Sequence, residues 1–159
     1  MKQTNIKKAL LSTKTKGLII NNSNNIEFID KIAEELSNGI NIVICKQNFT
    51  STSSFIQNGR KIRQLCSIYN ALFIVYDRID IAKILSADGI HLDSNSINII
   101  DAKKLLDDDK LIGYFIDKDK QNCEFIEYFD YILTDSKDYR NENLITFELC
   151  KNYFTIKKD

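Results

Sequence analysis

The run Leu72-Phe73-Ile74-Val75-Tyr76 leads into Asp77-Arg78-Ile79-Asp80-Ile81-Ala82, and four residues later comes Ala87-Asp88-Gly89-Ile90-His91-Leu92. Consecutive apolar residues, several of them β-branched or aromatic, predict a strand buried on both faces. Asp80 to Leu85 predicts a short helix, and Gly89 to Leu92 a further strand. Strand, helix and strand in that order are the building unit of a parallel sheet.

The same rhythm continues in both directions. Upstream, Gly17 to Ile20 reads as a strand, Ile26 to Leu36 as an amphipathic helix, and Ile40 to Cys45 as a second strand. The helix has Ile29, Ile32, Ala33 and Leu36 at helical spacing. Thr52 to Tyr69 reads as a helix with Phe55, Ile62, Leu65, Cys66 and Tyr69 along one stripe. The cluster Thr50-Ser51-Thr52-Ser53 supplies its N-cap. Downstream, Ile97 to Leu106 predicts a helix, Leu111 to Phe115 a strand, Cys123 to Phe129 a helix and Tyr131 to Thr134 a sixth strand. Beyond Thr134 the pattern weakens: Asp135 to Asn143 is a polar loop and Leu144 to Phe147 is a candidate seventh strand. Phe154-Thr155-Ile156 is ambiguous.

The expected class is therefore α/β, one domain over residues 1–159 with six to seven βα units. Periodicity leaves a doubly wound sheet and a (β/α) barrel both open. A full barrel takes about 250 residues, with about 200 near its lower limit. At 159 residues a barrel here would be incomplete or lean. A shortened barrel leaves strand edges unpaired, which proteins seldom expose. Either the segment Leu144 to Lys158 covers that edge or two copies pair across it as a homodimer.

Composition narrows the functions. The 22 Lys+Arg balance 22 Asp+Glu, so the broad basic field used for non-specific nucleic-acid binding is missing. The chain has 5 glycines and no proline, few for an enzyme that cradles phosphates in glycine-rich turns. Cys45, Cys66, Cys123 and Cys150 form no close pair of the kind that binds zinc, and Cys45, Cys66 and Cys150, which sit in apolar runs, read as small buried thiols. No stretch near the N-terminus is apolar enough for a signal peptide or membrane helix, so a cytoplasmic, reduced protein is expected. His91, between Ile90 and Leu92, reads first as a packed strand residue.

The segment from Phe73 to Leu92 closely resembles the thiamine phosphate synthase family, which includes the sister thiazole tautomerases. There a strand ending in Asn-Asp-Arg-Val-Asp-Leu-Ala is followed by Ala-Asp-Gly-Val-His-Leu-Gly-Gln. A looser resemblance extends from about Gly17 to Thr134. It implies a TIM-barrel-like fold and the joining of hydroxymethylpyrimidine pyrophosphate to a thiazole phosphate, with release of pyrophosphate and use of Mg2+. It also implies a small-molecule substrate carrying phosphate or pyrophosphate, with neither nucleic acid nor membrane as partner.

Carried over residue by residue, the resemblance makes Asp77 a metal-binding aspartate; capping of the next helix is the alternative reading of the same residue. The family's second metal carboxylate falls on Ser96, and Asp93 stands where the family has glycine and would be a substitute ligand. The pyrophosphate grip Gln-x-Arg-x-Lys at the end of the second strand has become Ile44-Cys45-Lys46-Gln47-Asn48. Lys46 keeps one positive charge there, although a lysine does not reproduce arginine's bidentate fork. Tyr76 replaces the asparagine before Asp77. The expected substrate-binding residues are thus Lys46, Gln47 and Tyr76, and the expected metal ligands Asp77 and Asp93. The polar turn after the fifth strand and the glycine loop after the sixth are altered, and no glycine follows Gly113. A catalytically degenerate relative, serving as a binding or regulatory module, is the second reading.

Overall fold

The computed structural model describes residues 16–21, 26–47, 50–116, 128–134, 145–146 and 149–151. Eight strands form one sheet: β1 Gly17–Asn21, β2 Ile42–Lys46, β3 Leu72–Tyr76, β4 Gly89–Leu92, β5 Leu111–Ile116, β6 Tyr131–Thr134, β7 Ile145–Thr146 and β8 Leu149–Lys151. The order across the sheet is β7-β6-β5-β4-β3-β2-β1-β8, and every pairing is parallel. Sequential neighbours all the way from β1 to β7 exclude the doubly wound alternative, which reverses its order part-way. The fold is an incomplete TIM-barrel-like α/β sheet. Its outer strands β6 and β1 are bordered by β7 and β8, which belong to one stretch of seven residues, 145–151. The C-terminal segment therefore lies along both edges that a shortened barrel would leave bare.

Four helices are described: α1 Ile26–Ser37, α2 Thr52–Ile68, α3 Ile79–Ile84 and α4 Ile99–Leu105. α1 buries Phe28, Ile32 and Leu36, one residue per turn on a single face. α2 buries Phe55, Gly59, Ile62 and Cys66, and starts where the Ser51 hydroxyl accepts the Ser54 N–H at 3.1 Å. α4 starts two residues later than the apolar pattern implies. Asn98 caps it by accepting the Asp101 N–H at 3.0 Å, which leaves Ile97 outside. β2 likewise begins at Ile42 and not Ile40, because Gly39 turns the chain at φ 105° and Asn41 bonds sideways to Lys16. Of the helix expected over Cys123 to Phe129, the described residues include only Tyr128 and Phe129. The expected loop 135–143 and the stretch Phe154 to Ile156 also lie outside them.

Strand alternation divides the core into layers. Leu18, Ile20, Val43, Cys45, Phe73 and Val75 face α1, α2 and α3. Ile42, Ile44, Leu72, Ile74, Tyr76, Leu111, Tyr131 and Leu133 fill the opposite, concave face. Ile90, Leu92, Ile112 and Ile132 pack on Ile99, Ala102 and Phe129. Cys45 and Cys66 are buried free thiols, and burial pushes the Cys66 thiol up to about 12, so both remain inert.

One device recurs at the N-terminal end of the sheet. Asn41, Asp88 and Asp130 stand immediately before β2, β4 and β6. Each accepts a backbone N–H from the preceding strand or the residue just before it: Lys16 at 2.8 Å, Phe73 at 2.9 Å and Ile112 at 2.8 Å. These bonds pair strands 1 with 2, 3 with 4 and 5 with 6, and they set the register in which the opposite strand ends meet.

Candidate functional site

At the C-terminal ends of β2, β3 and β4 the chain forms an open cavity of about 450 Å³. From β2 and its following turn come Lys46, Gln47 and Thr50; from β3 come Tyr76, Asp77 and Arg78; from β4 come Asp93 and Asn95. Barrel enzymes place their chemistry at this end of the sheet. All five residues expected from the sequence, Lys46, Gln47, Tyr76, Asp77 and Asp93, line this one cavity.

Tyr76 ends β3 with its ring buried and its hydroxyl at the cavity wall. It donates to Asp93 Oδ2 at 2.6 Å. Burial raises the Tyr76 phenol far above its ordinary range, and the Asp93 carboxylate adds to that, so Tyr76 is a permanent donor. Lys46 Nζ lies 4.6 Å from the centroid of the same ring, a cation–π contact that holds the ammonium at the cavity. No carboxylate among the described residues lies within ion-pair distance of Lys46.

Asp93 carries more bonds than a simple ligand would. Oδ1 accepts from the Asn95 N–H at 2.8 Å and from the Ser96 hydroxyl at 3.2 Å, while the Ser96 hydroxyl also accepts the Asp93 N–H at 3.0 Å. Burial works to raise its carboxyl, but these donors, led by Tyr76, outweigh it and hold Asp93 below the usual carboxylate range. The Ser96 that stands at the family's carboxylate position thus supports Asp93 and the turn after β4.

Asp77 is exposed and sits at φ 65°, in the left-handed region that few non-glycine residues adopt. Its N–H donates to His91 O at 2.9 Å, an extension of the β3–β4 ladder. It does not cap α3: the cap position belongs to Arg78, which makes no side-chain cap bond. The capping alternative is thereby set aside; the left-handed backbone itself is shared with Asn70 and Ser86.

Sequence reasoning assigned Arg78 no role. Its Nε and Nη2 donate to the two oxygens of Asp80 at 3.0 and 2.7 Å, and its Nη1 donates to Gln47 Oε1 at 2.7 Å. Gln47 in turn donates to Thr50 O at 3.0 Å. The signal was present in Asp77-Arg78-Ile79-Asp80, but its tie to Gln47 spans 31 residues and depends on strand adjacency.

Below the cavity the concave face is lined with aromatic rings. His91 is fully buried, its ring 5.1 Å from Tyr76 and 5.6 Å from Tyr131. Nδ1 lies 3.2 Å from the Tyr131 hydroxyl, and Nε2 has no hydrogen-bond partner among the described residues. Burial pushes the imidazole down to about 3; Asp93 opposes this and Lys46 reinforces it. His91 is therefore a neutral packed ring, as its apolar neighbours Ile90 and Leu92 suggest. Among the described residues no group of three or more His, Cys, Asp or Glu is arranged to hold a metal ion. No described helix is long and apolar enough to cross a membrane.

Residues 17–135 match the family model described as thiamine monophosphate synthase. The thiamine-phosphate synthase of Campylobacter jejuni is 33% identical over 105 residues, covering 66% of this chain and 50% of that protein. That of Dictyoglomus thermophilum is 36% identical over 105 residues, covering 65% of this chain and 47% of its own length. The chain thus spans about half the length of these curated relatives. The thiamine phosphate pyrophosphorylase from Pyrococcus furiosus superimposes with a TM-score of 0.69 at 24% identity, covering 82% of this chain and 62% of that one. This last likeness supports the fold.

Proposed function

Since the chain belongs to the thiamine monophosphate synthase family, we propose that it acts in thiamine biosynthesis as a thiamine phosphate synthase-like protein. In this reading the cavity at β2, β3 and β4 takes hydroxymethylpyrimidine pyrophosphate for coupling to a thiazole phosphate. The observation that carries the proposal is the convergence of Lys46, Gln47, Tyr76, Asp77 and Asp93 on one cavity at the catalytic end of the sheet.

The chemistry asks for stabilisation of a leaving anion. The bond between the pyrimidine methylene and the pyrophosphate oxygen breaks, its electron pair departs with pyrophosphate, and the thiazole nitrogen forms the new bond to carbon. Charge that develops on the leaving oxygen is stabilised by a cation already in place. Lys46 is such a cation, held over the Tyr76 ring and free of any ion pair among the described residues. Tyr76 and Asp93 act behind it: their 2.6 Å hydrogen bond fixes the ring that carries the ammonium.

Magnesium, which the family implies, supplies further neutralisation of pyrophosphate when bound. It commonly takes one or two protein carboxylates, with water and phosphate oxygens completing its shell. Asp77 fits that requirement, being exposed with its carboxylate uncommitted among the described residues. Asp93 would add at most a remaining lone pair of Oδ2, which already accepts the Tyr76 hydroxyl, because Oδ1 accepts two donors.

The second reading, a binding module without turnover, is favoured by one observation. Within the matched region Ile44, Asn48 and Ser96 stand where the family has the glutamine and lysine of its pyrophosphate grip and its second metal carboxylate. The two readings separate when the protein is incubated with both thiamine precursors and Mg2+. The expected result is thiamine phosphate, with Asp77→Ala reducing its formation at least about a hundredfold, the scale of losing a principal electrostatic stabiliser. Binding of the pyrimidine pyrophosphate without product would establish the binding module. Binding of neither precursor would reject both readings.

A further inference from the structure

The bonds that fix Arg78 carry an inference that rests on the reading above. A guanidinium has five N–H donors, and here three are engaged: two by Asp80 and one by Gln47. One N–H on Nη1 and one on Nη2 remain uncommitted among the described residues. A purely local ion pair would need only Asp80, two residues away and 61% exposed, where an ion pair contributes little. The bond to Gln47 does something different. It ties the guanidinium to the turn after β2, next to the residue that holds the cavity's other cation, and Gln47 is itself fixed by Thr50. Arg78 and Lys46 line the same cavity.

The cavity therefore holds one point charge and one planar fork, the combination suited to a group with several phosphate oxygens. The second strand offers a lysine and no arginine, and the guanidinium that lines the cavity is Arg78, at the position of the family's own Asn-Asp-Arg motif.

We propose that Arg78 is an anion-binding residue of this site, contacting the pyrophosphate of the ligand together with Lys46, and that Gln47 is the positioning residue that orients it.

The test is calorimetric titration of the full chain with inorganic pyrophosphate in Mg2+ buffer, with thermal unfolding recorded for each variant. Arg78→Ala should weaken binding at least about tenfold, as expected for loss of a charge-assisted contact, with little change in Tm because the side chain is partly exposed. Gln47→Ala should weaken it about threefold through a less ordered guanidinium. Arg78→Lys, which keeps the charge and serves as the second variant should the alanine protein fail to fold, should also bind at least about threefold more weakly. Wild-type affinity in either Arg78 variant overturns the inference and leaves the functional reading standing. A wild-type protein that binds no pyrophosphate overturns both.

Discussion

Gly89→Ala should destabilise the protein by about 4 kcal/mol, beyond the usual 1–3 kcal/mol for overfilling a packed site. A Cβ at this position would lie 2.2 Å from the backbone oxygen of Leu111 and 2.8 Å from its carbonyl carbon. Leu111 is the register partner of Gly89 on β5, and its N–H donates to Asp88 O at 3.0 Å. The obstacle is backbone within a ladder, so relief requires moving β5 away from β4. Domains of this size have about 5–15 kcal/mol in total, so a loss of that size is a large share of it. Gly59→Ala is the internal control. There the new methyl would meet Leu85 Cδ1 at 2.5 Å, the far end of a flexible side chain that can rotate aside. Alanine also favours a helix interior over glycine by about 0.5–1 kcal/mol. Urea unfolding of both variants checks the argument: a Gly89→Ala protein within 1 kcal/mol of the wild type would mean that β4 and β5 are not in this close contact.

The second large effect is pH-dependent. His91 has its imidazole depressed to about 3 in the fold, against an ordinary value near 6.5 in the unfolded chain. Between those values the unfolded state binds a proton that the folded state refuses, so acidification favours unfolding. The neutral ring's contribution is complete above about pH 6.5 and declines as pH falls toward about 3, at about 1.4 kcal/mol per pH unit. From pH 7 to pH 5 the expected loss is about 2 kcal/mol, in a range above that in which most carboxylates titrate. Urea midpoints at pH 7, 6 and 5 should show this slope, and His91→Phe should largely flatten it. In the wild type, the imidazole resonances of His91 should stay in their neutral form at pH 5. Titration of His91 near 6.5 in the folded protein would contradict its burial between Tyr76 and Tyr131.

Legibility in the sequence followed the kind of interaction involved. β3 and β4 were readable because Leu72 to Tyr76 is apolar on both faces and the Asp88-Gly89-Ile90-His91 segment follows at a crossover's distance. The buried stripes of α1 and α2 were readable for the same reason: a local period carries the signal. β7 and β8 were poorly readable, because two- and three-residue strands have no period. Helix starts shifted where a polar cap decided the boundary, as at Asn98. In the cavity, the residues themselves were identifiable through the family resemblance, but their connections were not. The Tyr76–Asp93 hydrogen bond joins residues 17 apart, and the Arg78–Gln47 bond joins residues 31 apart. Both exist only because β2, β3 and β4 are neighbours in the sheet. Pairwise logic along the chain had no means of showing that Asp93 is held by Ser96 and Tyr76, or that Arg78 is turned toward the end of β2.

The central claim is that the cavity at the ends of β2, β3 and β4 receives the pyrophosphate-bearing ligand. Its most direct test is the crystal structure of the protein with hydroxymethylpyrimidine pyrophosphate and Mg2+. The account predicts phosphate oxygens within hydrogen-bond distance of Lys46 Nζ and the Arg78 guanidinium, with Asp77 on the same side of the ligand. Pyrophosphate bound elsewhere, such as the smaller hollow beside Lys83 and Lys110 at the opposite end of the sheet, with the Lys46 cavity empty, would contradict it.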